Sequence, residues 1–207
     1  MMQSFNIKNK MESFYHGQCI RVTVFPKTGT TFMHQMAEAH ESLISSTENN
    51  PVKHYISVRT PLSRFVSGFL TMYYRSHHPN LNSDYADLYA NIHSLSIKDA
   101  LYECFSALDN DWSFDPHTSN CYDRLPALEP TQIFIEYTDI GLLLQKMGYL
   151  PNTTIPIDQF QNSNPINAKE ELLGIIANDK ILYKKLHHYL NADIEIYQKL
   201  PIIKLTA

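Results

Sequence analysis

Residues 24–32 read Val24-Phe25-Pro26-Lys27-Thr28-Gly29-Thr30-Thr31-Phe32, and this stretch decides the fold. Just upstream, Cys19 to Phe25 is a short run rich in β-branched residues that Pro26 stops, the pattern of a buried strand ending at a turn. Downstream, Phe32, Met33, Met36, Ala37, His40, Leu43 and Ile44 recur at helical spacing, so a helix leaves the turn at Thr30. His40 falls on the apolar side of that helix and reads as a core histidine, while His34 falls on the polar side. Strand, glycine-bearing turn and helix in succession aim backbone N–H groups and the positive end of the helix dipole at one point, which makes an anion site. Lys27 adds a full positive charge. The P-loop of nucleoside triphosphatases requires G-x-x-x-x-G-K-[ST], with its lysine after the second glycine. Here Lys27 precedes Gly29, which disfavours a small kinase of that type. Taken alone, these residues also fit an ordinary strand-to-helix turn with a surface lysine.

A second element follows at once. After a loop from Ser45 to Pro51, His54 to Val58 reads as another strand, ending at Arg59. Thr60 and Pro61 supply an N-cap and a proline at the first helical position. Behind them Leu62, Phe65, Val66, Phe69, Leu70 and Tyr73 form one apolar stripe, which predicts that Arg64 and Ser67 lie on the polar side of the helix. An arginine fork, a helix N-terminus and a hydroxyl would then converge on a second anion. Two anion sites at neighbouring strand ends suit a nucleotide with phosphate groups on both sides of its ribose.

Further along, residues 75 to about 130 are polar, aromatic and weakly periodic. Thr131 to Tyr137 is a third strand, and Thr138 is the expected cap of a helix through Met147 that stops at Gly148. Residues 151–165 read as a long loop. Ala168 to about Lys199 reads as helix in two pieces, broken near Asn191. The alternation of strand and helix, without repeats, predicts an α/β fold with a central, mainly parallel sheet flanked by helices.

Composition bounds the function. With 207 residues the chain fits one domain. A formal net charge of −4 and a charged fraction of 18% leave no global basic field, so a general nucleic-acid partner is not expected. No apolar stretch is long enough to span a membrane, and the N-terminal residues lack the apolar centre of a signal peptide. The expectation is a soluble, cytoplasmic protein. Cys19, Cys104 and Cys121 form no C-x-x-C pair and read as reduced, mostly structural thiols. His77-His78 and His187-His188 are adjacent pairs rather than metal-binding i, i+4 pairs. Oligomeric state is not legible.

The two motifs together resemble those of the sulfotransferases that use 3′-phosphoadenosine 5′-phosphosulfate, and look closest to the branch that includes the carbohydrate sulfotransferases. The resemblance implies a P-loop-like three-layer sandwich over residues 1–207, with about 75–130 as an acceptor-side insertion. It implies that Lys27, Thr28, Gly29, Thr30 and Thr31 hold the 5′-phosphosulfate, and that Arg59, Arg64 and Ser67, in an R-x-P-x-x-R-x-x-S element, hold the 3′-phosphate. The later stretch IFIEYTDIGLLLQKMGY and the terminal ADIEIYQKL also resemble the family's second half. Lys27 becomes the catalytic cation at the departing phosphate oxygen. His117, within Phe114 to Asn120, and Glu48, beyond the first helix, are the two candidates for the base that takes the acceptor's proton. The co-substrate is 3′-phosphoadenosine 5′-phosphosulfate, no metal is expected, and the acceptor is a hydroxyl or amine, with carbohydrate, lipid, peptide and small phenol all open. A non-catalytic protein that binds an adenine nucleotide or another anion in the same pocket is the alternative. About two dozen residues separate the two motifs, which leaves little room for the extra strand that relatives often carry there.

Overall fold

A computed structural model describes residues 12–16, 20–25, 27–40, 53–75, 92–108, 118, 120–122, 125, 131–149, 165 and 167–205. In chain order the elements are β1 (Glu12–His16), β2 (Ile20–Val24), α1 (Thr30–Ala39), β3 (Lys53–Val58), α2 (Pro61–Arg75), α3 (Ile97–Leu108), β4 (Gln132–Glu136), α4 (Ile140–Lys146), α5 (Ala168–Asn178), α6 (Lys180–Tyr197) and β5 (Ile202–Ile203). Single turns of 3-10 helix occur at Ile92–Ser94 and Tyr137–Asp139. The chain forms two compact units, each assembled from separate stretches, and one boundary falls between Thr60 and Pro61.

The first unit holds the sheet, with strand order β1-β2-β3-β4-β5. β1 runs antiparallel to β2, and β2 through β5 are parallel, so the fold is α/β with a mainly parallel sheet. Successive parallel strands are neighbours, so the residues that follow β2, β3 and β4 emerge side by side at one edge. β1 and β5 were not foreseen. β1 pairs Phe14 with Val22, and β5 sets two β-branched isoleucines against Phe134 and Ile135.

Alternation along the strands sorts side chains to two faces. Phe14, Val22, Val24 and Ile135 face Phe32, Met33 and Met36 of α1 and Ile140, Leu143 and Leu144 of α4 in one apolar cluster. On the opposite face Phe25, Ile56, Val58 and Phe134 pack with Cys121, Tyr122 and the chain end around Tyr197 and Leu200. Toward the β1 edge that second face turns polar. Thr23 Oγ1 lies 2.8 Å from His54 Nε2 and 2.9 Å from Ser13 Oγ, and Arg21 Nε donates to Ser13 Oγ at 3.0 Å. Buried Thr23 and His54 thereby satisfy each other.

α1 starts at Thr30 as expected but ends at Ala39; the extended backbone of His40 stops it, and the His40 ring sits 5.2 Å from that of Tyr149. α4 begins at Ile140 rather than beside Thr138, because residues 137–139 close a 3-10 turn first. It ends as read: Gly148 at φ 84° donates to Gln145 O at 2.9 Å and Tyr149 to Leu144 O at 2.9 Å, the paired bonds of a glycine C-cap.

The second unit is helical, built from α2, α3, α5 and most of α6. Phe65 stacks on Phe69 and Phe105, and Leu101, Leu172, Leu186 and Leu190 complete the buried core. α3 lies in the stretch that sequence left unassigned. Its signal was nonetheless present: Ile97, Ala100, Leu101, Cys104 and Phe105 hold helical spacing, and Ser96 caps the start, accepting from Asp99 N at 3.1 Å and donating to Asp99 Oδ2 at 2.6 Å. Burial of the Cys104 thiol in this core pushes its pKa up to about 12. The break in the last helical region falls at Asp179, not near Asn191. Asp179 Oδ1 accepts from Ile181 N and Leu182 N at 3.1 and 3.2 Å, capping α6, whereas Asn191 lies inside α6 and donates to Glu195 Oε1 at 2.7 Å. Among the described residues no helix is long and apolar enough to cross a membrane.

Candidate functional site

Within the sheet unit the turn after β2 is built by its own hydroxyls. Thr28 is fully buried; its Oγ1 accepts from Phe25 N at 2.7 Å and donates to Phe25 O at 2.9 Å. Thr30 Oγ1 also donates to Phe25 O, at 2.8 Å. These two threonines close the turn, and for Thr28 that structural work engages the side chain expected to reach a ligand. Ser57, on β3, donates to Thr28 O at 2.7 Å and fastens the turn to the neighbouring strand.

Two backbone conformations shape the loop. Lys27 sits at φ 67°, the left-handed region that non-glycine residues seldom enter, and is the one non-glycine residue there among those described. Gly29 sits at φ 104°, and a Cβ placed on it would fall 2.4 Å from Ile140 Cδ1. Only glycine meets both demands. α1 then begins at Thr30, with Thr31 in its first turn, and its earliest i−4 bond runs from Met33 N to Gly29 O at 3.0 Å. Peptide N–H groups ahead of that bond have no acceptor within the helix and carry the positive end of its dipole. The turn can therefore receive an anion through its backbone, with half-buried Lys27 beside it.

Arg59 meets this turn from β3. The residue is buried; its Nη1 donates to Lys27 O at 3.3 Å, and its guanidinium carbon lies 4.3 Å from the centre of the Tyr137 ring. Its backbone is gripped as well: Arg59 N donates to the Tyr122 hydroxyl at 2.8 Å, and that hydroxyl donates to Arg59 O. The Tyr122 ring faces Tyr197, whose hydroxyl donates to the Glu136 carboxylate. Burial first, and then this bond to a carboxylate, drive the Tyr197 phenol well above the usual tyrosine range. Lys27 and Arg59, read from separate motifs, are thus in direct contact. Tyr122, Tyr137, Glu136 and Tyr197 were not singled out as site residues, although Glu136, Tyr137 and Tyr197 lie in the later stretches that resemble the family.

Arg64 and Ser67 belong to α2 in the helical unit. Ser67 is half-buried. Arg64 does not lie on an open polar side: it has no exposed surface and its Nη2 lies 3.3 Å from Oδ2 of equally buried Asp193. The reason is that α2 is covered on two sides, since Gly68 and Thr71, four and seven residues on from Arg64, are buried too. Asn120 joins the same unit, donating to Tyr189 O at 2.9 Å. Glu48 and His117 lie outside the described residues. No protein-family model, no curated protein and no solved structure matches this chain.

Proposed function

We propose that the protein is a sulfotransferase that moves a sulfuryl group from 3′-phosphoadenosine 5′-phosphosulfate to a hydroxyl or amine acceptor, on a P-loop-like sheet. The observation that carries this reading is the contact of Lys27 with Arg59: a left-handed lysine turn at a helix N-terminus, joined to a buried arginine just past the end of the adjacent parallel strand. Together with the motif resemblance, it supports a site in which the Lys27 turn and the Arg59 guanidinium each meet one phosphate group of a doubly phosphorylated nucleotide. Lys27 and the first peptide N–H groups of α1 are assigned to the 5′-phosphosulfate, and Arg59 to the 3′-phosphate. Arg64 is reassigned from the ligand to Asp193. Ser67 is assigned on motif spacing alone.

In the reaction the acceptor oxygen attacks sulfur, an O–S bond forms, and the sulfur–oxygen bond to the 5′-phosphate breaks. Its electron pair goes to the phosphate oxygen, where the Lys27 ammonium stabilises the charge. The acceptor's proton passes to a base, for which His117 and Glu48 stay the two candidates. The test is thermal shift with 3′-phosphoadenosine 5′-phosphate. At a hundred times its dissociation constant the ligand contributes about 2.7 kcal/mol. Adenosine triphosphate with magnesium, which lacks the 3′-phosphate, stabilises less. The reverse order removes the sulfotransferase reading.

A further inference from the structure

The helical unit contains a cavity of about 450 Å³ lined by Tyr73, Tyr74, Ser96, Ile97 and Glu171. That volume lies in the range of small-molecule sites. Its walls are set rather than loose. The Tyr73 hydroxyl donates to Leu95 O at 2.9 Å, and its ring stacks on Phe69, which is fully buried. The Tyr74 ring meets that of Tyr73 edge to face, at 84° with centroids 5.1 Å apart, which fixes both rings. Ile97, buried at the start of α3, supplies an apolar wall.

Among the described lining residues Glu171 is the ionic one. It faces Tyr74 closely enough to help raise that phenol's pKa, after burial and ahead of Tyr73. Ser96, also in the lining, donates to the carboxylate of Asp99, so a second negative group stands behind it. The nearest lysine on α3, Lys98, is held 2.8 Å from Asp179 instead. A tyrosine ring beside a carboxylate attracts a cation, because the ring quadrupole and the charge act with the same sign.

We infer that the Tyr73–Tyr74–Glu171 cavity is a binding site for an organic cation, an alkylammonium group seated on the tyrosine rings with its charge toward Glu171. This site is separate in chemistry from the anion-binding turn and does not depend on the transfer reaction.

Choline and its uncharged isostere 3,3-dimethylbutan-1-ol are the probes, titrated into the full chain and followed by saturation-transfer NMR. Choline is expected to bind roughly three- to thirtyfold more tightly than the isostere, the range that a cation–π contact supplies. Glu171→Gln, at an exposed position, should erase most of that preference, Tyr74→Ala should abolish binding, and Tyr74→Phe should keep it because the ring face is retained. Unchanged thermal melting of the Glu171→Gln chain shows that its fold is intact. Equal affinity for the two probes, no binding of choline, or a Glu171→Gln chain that prefers choline as before, each overturns the inference.

Discussion

The guanidinium of Arg59 donates to the carbonyl of Lys27 at 3.3 Å, and so ties the end of β3 to the one peptide of the preceding turn that carries a strained lysine. The bond ties the Arg59 guanidinium to the backbone of the turn. Arg59 donates once to the loop and holds its guanidinium carbon 4.3 Å from the centre of the Tyr137 ring, two contacts that fix its orientation. A charge held in this way needs little reorganisation to meet an anion.

From that division of roles, Lys27→Ala should lower the chemical rate far more than donor affinity, since its charge is needed most in the transition state. Arg59→Ala should instead weaken 3′-phosphoadenosine 5′-phosphate binding by about 1.5–3 kcal/mol, the worth of a charged hydrogen-bonded contact. Arg59→Lys should recover little, because the fork that serves both Lys27 O and a phosphate is gone. Steady-state kinetics and calorimetric titration separate these effects; identical changes in rate and affinity for both single variants would contradict the assignment.

Gly29 offers a test of the turn that needs no substrate. Gly29→Ala should destabilise the protein by about 2–5 kcal/mol, about 1–3 from the added methyl overpacking the core and about 1–2 from a left-handed alanine, because the new Cβ would fall 2.4 Å from Ile140 Cδ1 at φ 104°. Ile140→Val deletes that Cδ1 atom. On the Ile140→Val background the cost of Gly29→Ala should shrink to the backbone penalty of a left-handed alanine, about 1–2 kcal/mol. Urea unfolding of the four proteins in this cycle measures the coupling, and an unchanged cost would place the strain elsewhere.

Much of the sheet and half of the site were legible because local signals and tertiary demands agreed. β2, β3, β4 and the helices after them follow β-branched runs, a proline, a capping threonine and a glycine, all of which act within a few residues. β1 and β5 escaped because a short edge strand is defined by its partner rather than by its own pattern. Arg64 was misread for a related reason. An apolar stripe reports the side of a helix that must be buried, but not whether a second element covers the opposite side, as Asp193 of α6 does here. The break at Asp179 was readable in principle, since an aspartate that caps two N–H groups marks a helix start. Tyr122 on the Arg59 backbone had no local signal at all, being 63 residues away in sequence.

The Arg64–Asp193 pair predicts an asymmetry between single and double substitution. Arg64→Met leaves a buried carboxylate without its cation and should cost about 3–5 kcal/mol. Replacing both, as Arg64→Met with Asp193→Leu, should return most of that stability, because two apolar side chains of similar volume avoid the desolvation of two charges. If Arg64 is structural, the double variant should bind 3′-phosphoadenosine 5′-phosphate as the parent does. A drop in affinity of about 1.5–3 kcal/mol would return Arg64 to the phosphate site.

His54 predicts the acid behaviour of the sheet unit. It is buried beside the Thr23 hydroxyl, and burial, with Arg21 adding like charge, lowers its pKa to about 4. In the unfolded chain the imidazole has its ordinary value near 6.5. Between those values the unfolded state binds a proton that the folded state refuses, so stability rises with pH across this window and is lost as pH falls from about 6.5 to about 4. The full loss is on the order of 3 kcal/mol, at about 1.36 kcal/mol for each unit of separation. Asp179 acts in a lower window: its pKa is held at about 2, first by Lys98 and then by Leu182 N, so its contribution fades only below about pH 4. Urea unfolding at pH 7, 5.5 and 4.5 should therefore show a decline that His54→Asn flattens, even though the variant starts lower at pH 7 through lost packing. The same decline in parent and variant would assign the acid sensitivity to another group.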